Sequence, residues 1–133
     1  MKRSSGKKEI IEPIGRHPIL RKQMAVIPEG RNAHTVVDTL CCNGELSYVK
    51  IMILTGRTHQ IRVHLQHHKT PVLGDQVYGN ARVDRKYGNP RLQLHATYIS
   101  LMHPIKDKKM EFFAPIPSEM QIFVDKLTGS HLF

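Results

Sequence analysis

Between Glu45 and Asp75 the sequence has no acidic residue, while Lys50, Arg57, Arg62 and Lys69 place four positive charges in that interval. Polyanions meet no competing carboxylate there. Cysteine is scarce: only Cys41 and Cys42 occur, side by side. Adjacent cysteines match neither the C-x-x-C spacing of a zinc or redox site nor a disulfide framework, so a reducing cytosol is the expected compartment. No apolar run approaches the roughly 20 residues of a membrane span, and MKRSSGKKEIIE at the start lacks the hydrophobic centre of a signal peptide. The chain therefore reads as cytoplasmic, with no membrane partner. There are no internal repeats, no G-x-S-x-G and no phosphate-binding glycine loop.

What is present is enough for one domain. The 133 residues are 40% hydrophobic and 23% charged, which supports a folded core. The formal charge is +9 and the pI about 9.8, which favours association with phosphate backbones or anionic surfaces. Eight lysines and arginines against three glutamates put +5 of that charge in residues 1–31.

Periodicity and turn residues organise the chain. Residues 1–11 read as a basic, flexible segment, and residues 12–133 as the folded portion. Three prolines and two glycines in residues 10–30 exclude a continuous helix and favour short extended pieces. AHTVVDTLC (33–41) and LSYVKIMIL (46–54) alternate as strands, and the Asn43-Gly44 turn between them predicts an antiparallel hairpin. Thr58 is the expected N-cap of a helix over 59–68, with Ile61 and Leu65 facing the core and Arg62 at the margin of that face. Residues 70–80 read as a structured loop and 81–90 as a turn-rich surface excursion carrying Asp84. Residues 91–104 suggest a helical turn leading into a strand, K-D-K-K (106–109) a turn, and MEFFAPIP (110–117) a short strand. A C-terminal helix is predicted over 118–127, capped by Ser118, with Met120, Phe123, Val124 and Leu127 on one face. The fold class is α+β, mainly antiparallel sheet with a few helices.

Three chemistries compete for LTGRTHQIRVHL (54–65) and its surroundings. His64 and His68 lie at i, i+4 on the predicted helix and could share a zinc ion, but no glutamate stands between them and no third ligand follows at a characteristic spacing, so the expectation is no metal. Cys41 or Cys42 could be a nucleophile, yet a β-branched strand context favours buried structural thiols. Nucleic-acid contact suits the composition best: Arg57, Thr58, His59, Gln60 and His64 offer donors and acceptors for phosphates, sugars and base edges, and Arg16, Arg21 and Lys22 add positive charge upstream. Composition does not choose between RNA and DNA.

TGRTHQIRVHL (55–65), PVLGDQVYG (71–79), RLQLHATYISLMHP (91–104) and APIP (114–117), preceded by PIGRHPILRKQMAV (13–26), together resemble the C-terminal part of the catalytic domain of RluA-type RNA pseudouridine synthases. The resemblance covers residues 12–124. It implies cofactor-independent isomerisation of selected uridines in structured RNA, usually ribosomal: the glycosidic bond to N1 breaks, the base turns, and a carbon–carbon bond forms at C5. In the family an aspartate in an H-R-L-D motif is indispensable and an arginine pairs with it, and Arg62 occupies that arginine's position. No H-R-L-D motif occurs in these residues; Asp84 of R-V-D-R-K reads as a surface residue, and Asp38 and Asp75 as structural. The expectation is thus a truncated fragment of an rRNA-modifying isomerase, inactive alone and prone to self-association through an uncovered sheet edge. A non-catalytic RNA-binding module derived from such an enzyme is the alternative.

Overall fold

The computed structural model describes residues 6–102 and 109–128. They fall into two units, one ending at Gln93 and one beginning at Leu94. In the first, β-branched residues build the predicted hairpin: β4 (His34–Cys42) pairs antiparallel with β5 (Ser47–Ile53), with a bulge between Thr39 and Cys41. Asn43 closes the turn by accepting the Glu45 and Leu46 N–H groups on its side-chain oxygen.

On the other side of β4 lies β1 (Lys7–Ile11), so the sheet order is β1-β4-β5. This corrects the reading of residues 1–11 as flexible: within the described part, residues 7–11 are an edge strand. Its lysines face solvent while Ile10, 2% exposed, reaches the core, a single buried position hidden by the surrounding charge. β2 (Ile14–Arg16) and β3 (Met24–Val26) form a separate hairpin, the short extended pieces expected of the proline-rich stretch. Ile14, Ala33, Val63 and Tyr78 are the heart of the core, with Met24 and Val26 packed against them. The β5 edge is open among the described residues, and Met52, Ile53 and Leu54 are about half exposed along and just beyond it.

Helix α1 (Gln60–His67) starts later than Thr58 predicts. Its N-cap is His59 at φ 56°, and no side chain caps it. Its buried residues are Gln60, Val63, His64 and Leu65, so the inward face is turned relative to the predicted Ile61/Leu65 stripe. The loop that follows is structured, as expected, and Gly74 is indispensable to it: φ is +83°, and a Cβ would stand 2.1 Å from the Arg91 carbonyl oxygen. Residues 81–86 are helical, not a turn-rich excursion. The Asn80 side chain caps α2 (Ala81–Lys86) by accepting the Arg82 and Val83 N–H groups. Asp84 is correspondingly not a surface residue: it is 8% exposed and accepts the Gly74 N–H, tying α2 to the loop.

The second unit pairs β6 (Tyr98–Met102) antiparallel with β7 (Lys109–Phe113). Residues 91–97 adopt no helical turn, and most of the expected K-D-K-K turn lies outside the described residues. Helix α3 (Ser118–Thr128) buries Val124 and Leu127, with Met120 and Phe123 half buried, the face that its spacing predicts. No helix among the described residues is long and apolar enough to cross a membrane.

Candidate active-site wall

Arg62 sits on the middle turn of α1 with 18% of its side chain exposed. Its Nε donates to Asp75 Oδ2 at 2.8 Å and its Nη2 to Asp75 Oδ1 at 2.9 Å, a two-point guanidinium–carboxylate pair. The Asp75 side chain is wholly buried and also accepts the Val77 and Tyr78 N–H groups. Burial pushes this carboxyl's pKa up, but the Arg62 guanidinium and the two backbone donors outweigh it and hold the pKa below the usual carboxylate range. The same hydrogen bond to Asp75, outweighing burial, raises the Arg62 pKa.

A third group supports the arginine. The guanidinium carbon lies 5.0 Å from the centroid of the Tyr78 ring, within cation–π range. Tyr78 is 2% exposed, and its hydroxyl accepts the Met24 N–H at 2.9 Å, which leaves its own hydrogen for His59 Nδ1 at 2.8 Å. One phenol thus joins β3, the left-handed cap of α1 and the arginine. Asp75 and Tyr78 together leave the Nη1 edge of Arg62 without a hydrogen-bond partner among the described residues.

Beneath this lies a polar chain whose direction is fixed. Glu12's carbonyl can only accept, so His64 Nε2 donates to it at 2.9 Å and the neutral ring's Nδ1 accepts from Thr35 Oγ1 at 2.8 Å. Thr35 Oγ1 in turn accepts from Gln60 Nε2 at 2.9 Å, and Gln60 Oε1 accepts from Thr55 Oγ1 and the Arg57 N–H. The expectation that Gln60 and His64 contact RNA is corrected here. Gln60 is 3% and His64 0% exposed, and their polar atoms are committed to holding α1 on the sheet. With both ring nitrogens so engaged His64 has no free electron pair for zinc, and among the described residues no three His, Cys, Asp or Glu side chains come together.

Burial is the main cause of a lowered His64 pKa. In the unfolded chain the ring takes a proton near pH 6.5 and in the folded chain only below that, so its contribution to stability is complete above about pH 6.5 and declines as pH falls from there. His64→Asn should flatten the dependence of the urea midpoint on pH between about 7.5 and 5.5. A wild-type midpoint independent of pH over that range would refute the neutral buried ring.

The other predicted contacts are accessible. Thr58 and His59 are exposed and Arg57 half buried, its Nε donating to the Asn32 carbonyl at 2.7 Å. Arg16, Arg21 and Lys22 lie exposed on the β2–β3 hairpin. Sequence reasoning missed Tyr78 and the Arg62–Asp75 pair. The sequence signal was Asp75 and Tyr78 at i, i+3, a spacing that lets one carboxylate accept the tyrosine's own N–H.

Comparison with known proteins fits these elements. A family model described as RNA pseudouridylate synthase matches residues 3–67. A chain titled uncharacterized RNA pseudouridine synthase from Chloroflexus aurantiacus is 45% identical over 115 residues, 86% of this chain and 36% of the relative. Ribosomal large subunit pseudouridine synthase D of Escherichia coli is 40% identical over 119 residues, 82% of this chain and 36% of that one. The structure of Human RNA Pseudouridylate Synthase Domain Containing 1 superposes with a TM-score of 0.70 at 28% identity, covering 82% of this chain and 48% of that one. Over most of its length the chain is similar to RNA pseudouridine synthases. It spans little more than a third of the curated relatives it matches. Arg62 lies within the residues the family model matches, and its Nε–Nη2 edge is engaged by Asp75.

Proposed function

We propose that these residues form the arginine-bearing wall of an RNA pseudouridine synthase active site whose nucleophilic aspartate is supplied from outside this sequence. The observation that carries the reading is the arginine itself: a guanidinium gripped on one edge by a buried carboxylate and placed over a buried ring, with Nη1 left over. A rigid cation of this kind keeps a facing carboxylate ionised and oriented in a partly apolar site. In the isomerisation the glycosidic bond to N1 breaks and C5 takes its place, C5 losing its hydrogen and N1 gaining one, so no redox partner is required. The substrate is structured RNA with the target uridine turned out of its stack, and large-subunit ribosomal RNA is the first substrate to test. Arg57, Thr58, His59, Arg16, Arg21 and Lys22 are the residues available to hold the backbone.

Tritium release from [5-³H]uridine-labelled ribosomal RNA tests the division of labour. The 133-residue chain alone should release none; turnover by it would place the nucleophile within these residues after all. The open β5 edge, with Met52, Ile53 and Leu54 exposed, favours self-association of the isolated chain. Its elution volume should shift toward the dimer as concentration rises, and a concentration-independent monomer would contradict this.

A further inference from the structure

The β2–β3 hairpin and α1 enclose an open cleft of about 330 Å³, one helical turn past Arg62, that the catalytic reading does not use. Leu20 and Val63 contribute apolar wall, and His17, Gln23, Gln66 and His67 contribute polar groups. Gln66 stands four residues after Arg62, so the two side chains are neighbours on the helix surface. The side-chain amides of Gln23 and Gln66 make no hydrogen bond among the described residues, and each carries the paired donor and acceptor that a base edge requires. The histidine rings offer flat faces of the kind on which bases stack.

The hairpin tip is set in advance. His17 Nδ1 accepts the Ile19 and Leu20 N–H groups at 3.1 and 2.9 Å, and Arg16 Nη1 donates to the Arg21 carbonyl at 2.7 Å. Residues 13–28 contain no acid, and Arg16, Arg21 and Lys22 are exposed around the tip. A wall of unpaired amides, ring faces and aliphatic carbon beneath a rim of cations without carboxylates suits one nucleotide: base inside, phosphates at the rim. Its volume lies at the small end of the range for ligand sites.

We infer that this cleft takes a single unpaired nucleotide flanking the target uridine, reading its base through Gln23 and Gln66 while Arg21 and Lys22 hold its phosphates. The inference rests on RNA being the substrate, as proposed above, and adds where the neighbouring nucleotide is read. Isotope-labelled chain is titrated with two single-stranded pentanucleotides, identical except that one has an abasic central position. The intact oligonucleotide should move the Gln23 and Gln66 side-chain amide resonances and bind about tenfold more tightly than the abasic one, the scale of one stacked base. Gln66→Ala and Gln23→Ala should reduce that ratio toward one, and Arg21→Ala with Lys22→Ala should weaken both oligonucleotides by the same factor.

Equal affinities with unmoved glutamine resonances, while the Arg21/Lys22 substitutions still weaken binding, would overturn the cleft and leave RNA binding standing. A preference for the intact oligonucleotide that survives both glutamine substitutions would also overturn it, by placing the base elsewhere. Binding of neither oligonucleotide would overturn RNA recognition by this chain and the cleft together.

Discussion

In a synthase assembled from this segment and the part bearing the aspartate, Arg62→Ala should lower kcat by roughly 10²-fold or more while RNA affinity changes little. Arg62 is anchored by Asp75 and lies over the Tyr78 ring, so it is a fixed charge and not a mobile phosphate-seeking arm. A phosphate-contacting arginine would behave oppositely, weakening binding and lowering its salt dependence with kcat preserved. Single-turnover tritium release measured beside RNA affinity at two salt concentrations separates the two roles. Arg62→Lys should rescue little, because an ammonium cannot span both Asp75 oxygens and still present an outward donor in the guanidinium plane. If Arg62→Ala chiefly raised the dissociation constant, its place in the active site would be lost.

Asp75→Asn should lower stability by about 3–5 kcal/mol, because it strands a partly buried guanidinium whose partner carboxylate lies in the interior. The asparagine keeps the volume, but its amide nitrogen then faces a donor: Arg62 on one side or the Val77 and Tyr78 N–H groups on the other. Urea denaturation of wild-type chain and of Asp75→Asn measures the difference. A loss within 0.5 kcal/mol would mean the pair contributes little, as exposed ion pairs do. The pH dependence has a definite sign. Because the folded pKa lies below the usual carboxylate value, the contribution of Asp75 is complete above that value and is lost as pH falls through the folded one. Its loss comes at lower pH than that of His64, whose window opens near pH 6.5.

The hairpin and the C-terminal helix were legible in the sequence, because each rests on a local signal: alternation about Asn-Gly, and apolar spacing after a serine. Helix α1 was legible in place but not in rotation. Hydropathy sends Gln60 and His64 outward, and only the distant partners Thr35, His34 and Glu12 make their burial favourable. Strand β1 was hidden for the opposite reason: an edge strand can carry lysines and glutamate on most positions and still contribute Ile10 to the core. The helix at 81–86 was obscured by its arginines, aspartate and lysine, although Asn80 was a readable cap. The Arg62–Asp75 pair joins residues 13 apart across a loop whose path depends on Gly74, and no periodicity reports such a path.

The Tyr78 hydroxyl has a thermodynamic consequence for the site. It receives the N–H of Met24, which belongs to the hairpin forming one side of the nucleotide cleft, and its ring supports Arg62 on the other. A ligand that draws the hairpin inward or outward must alter the same hydroxyl that sets the ring under the guanidinium. A ligand that moved the hairpin on entering the cleft would couple its occupancy to engagement of Arg62 by a facing carboxylate, and by reciprocity whatever factor one imposed on the other would be returned in full. A correct neighbouring nucleotide would in this way be felt as a better-placed arginine.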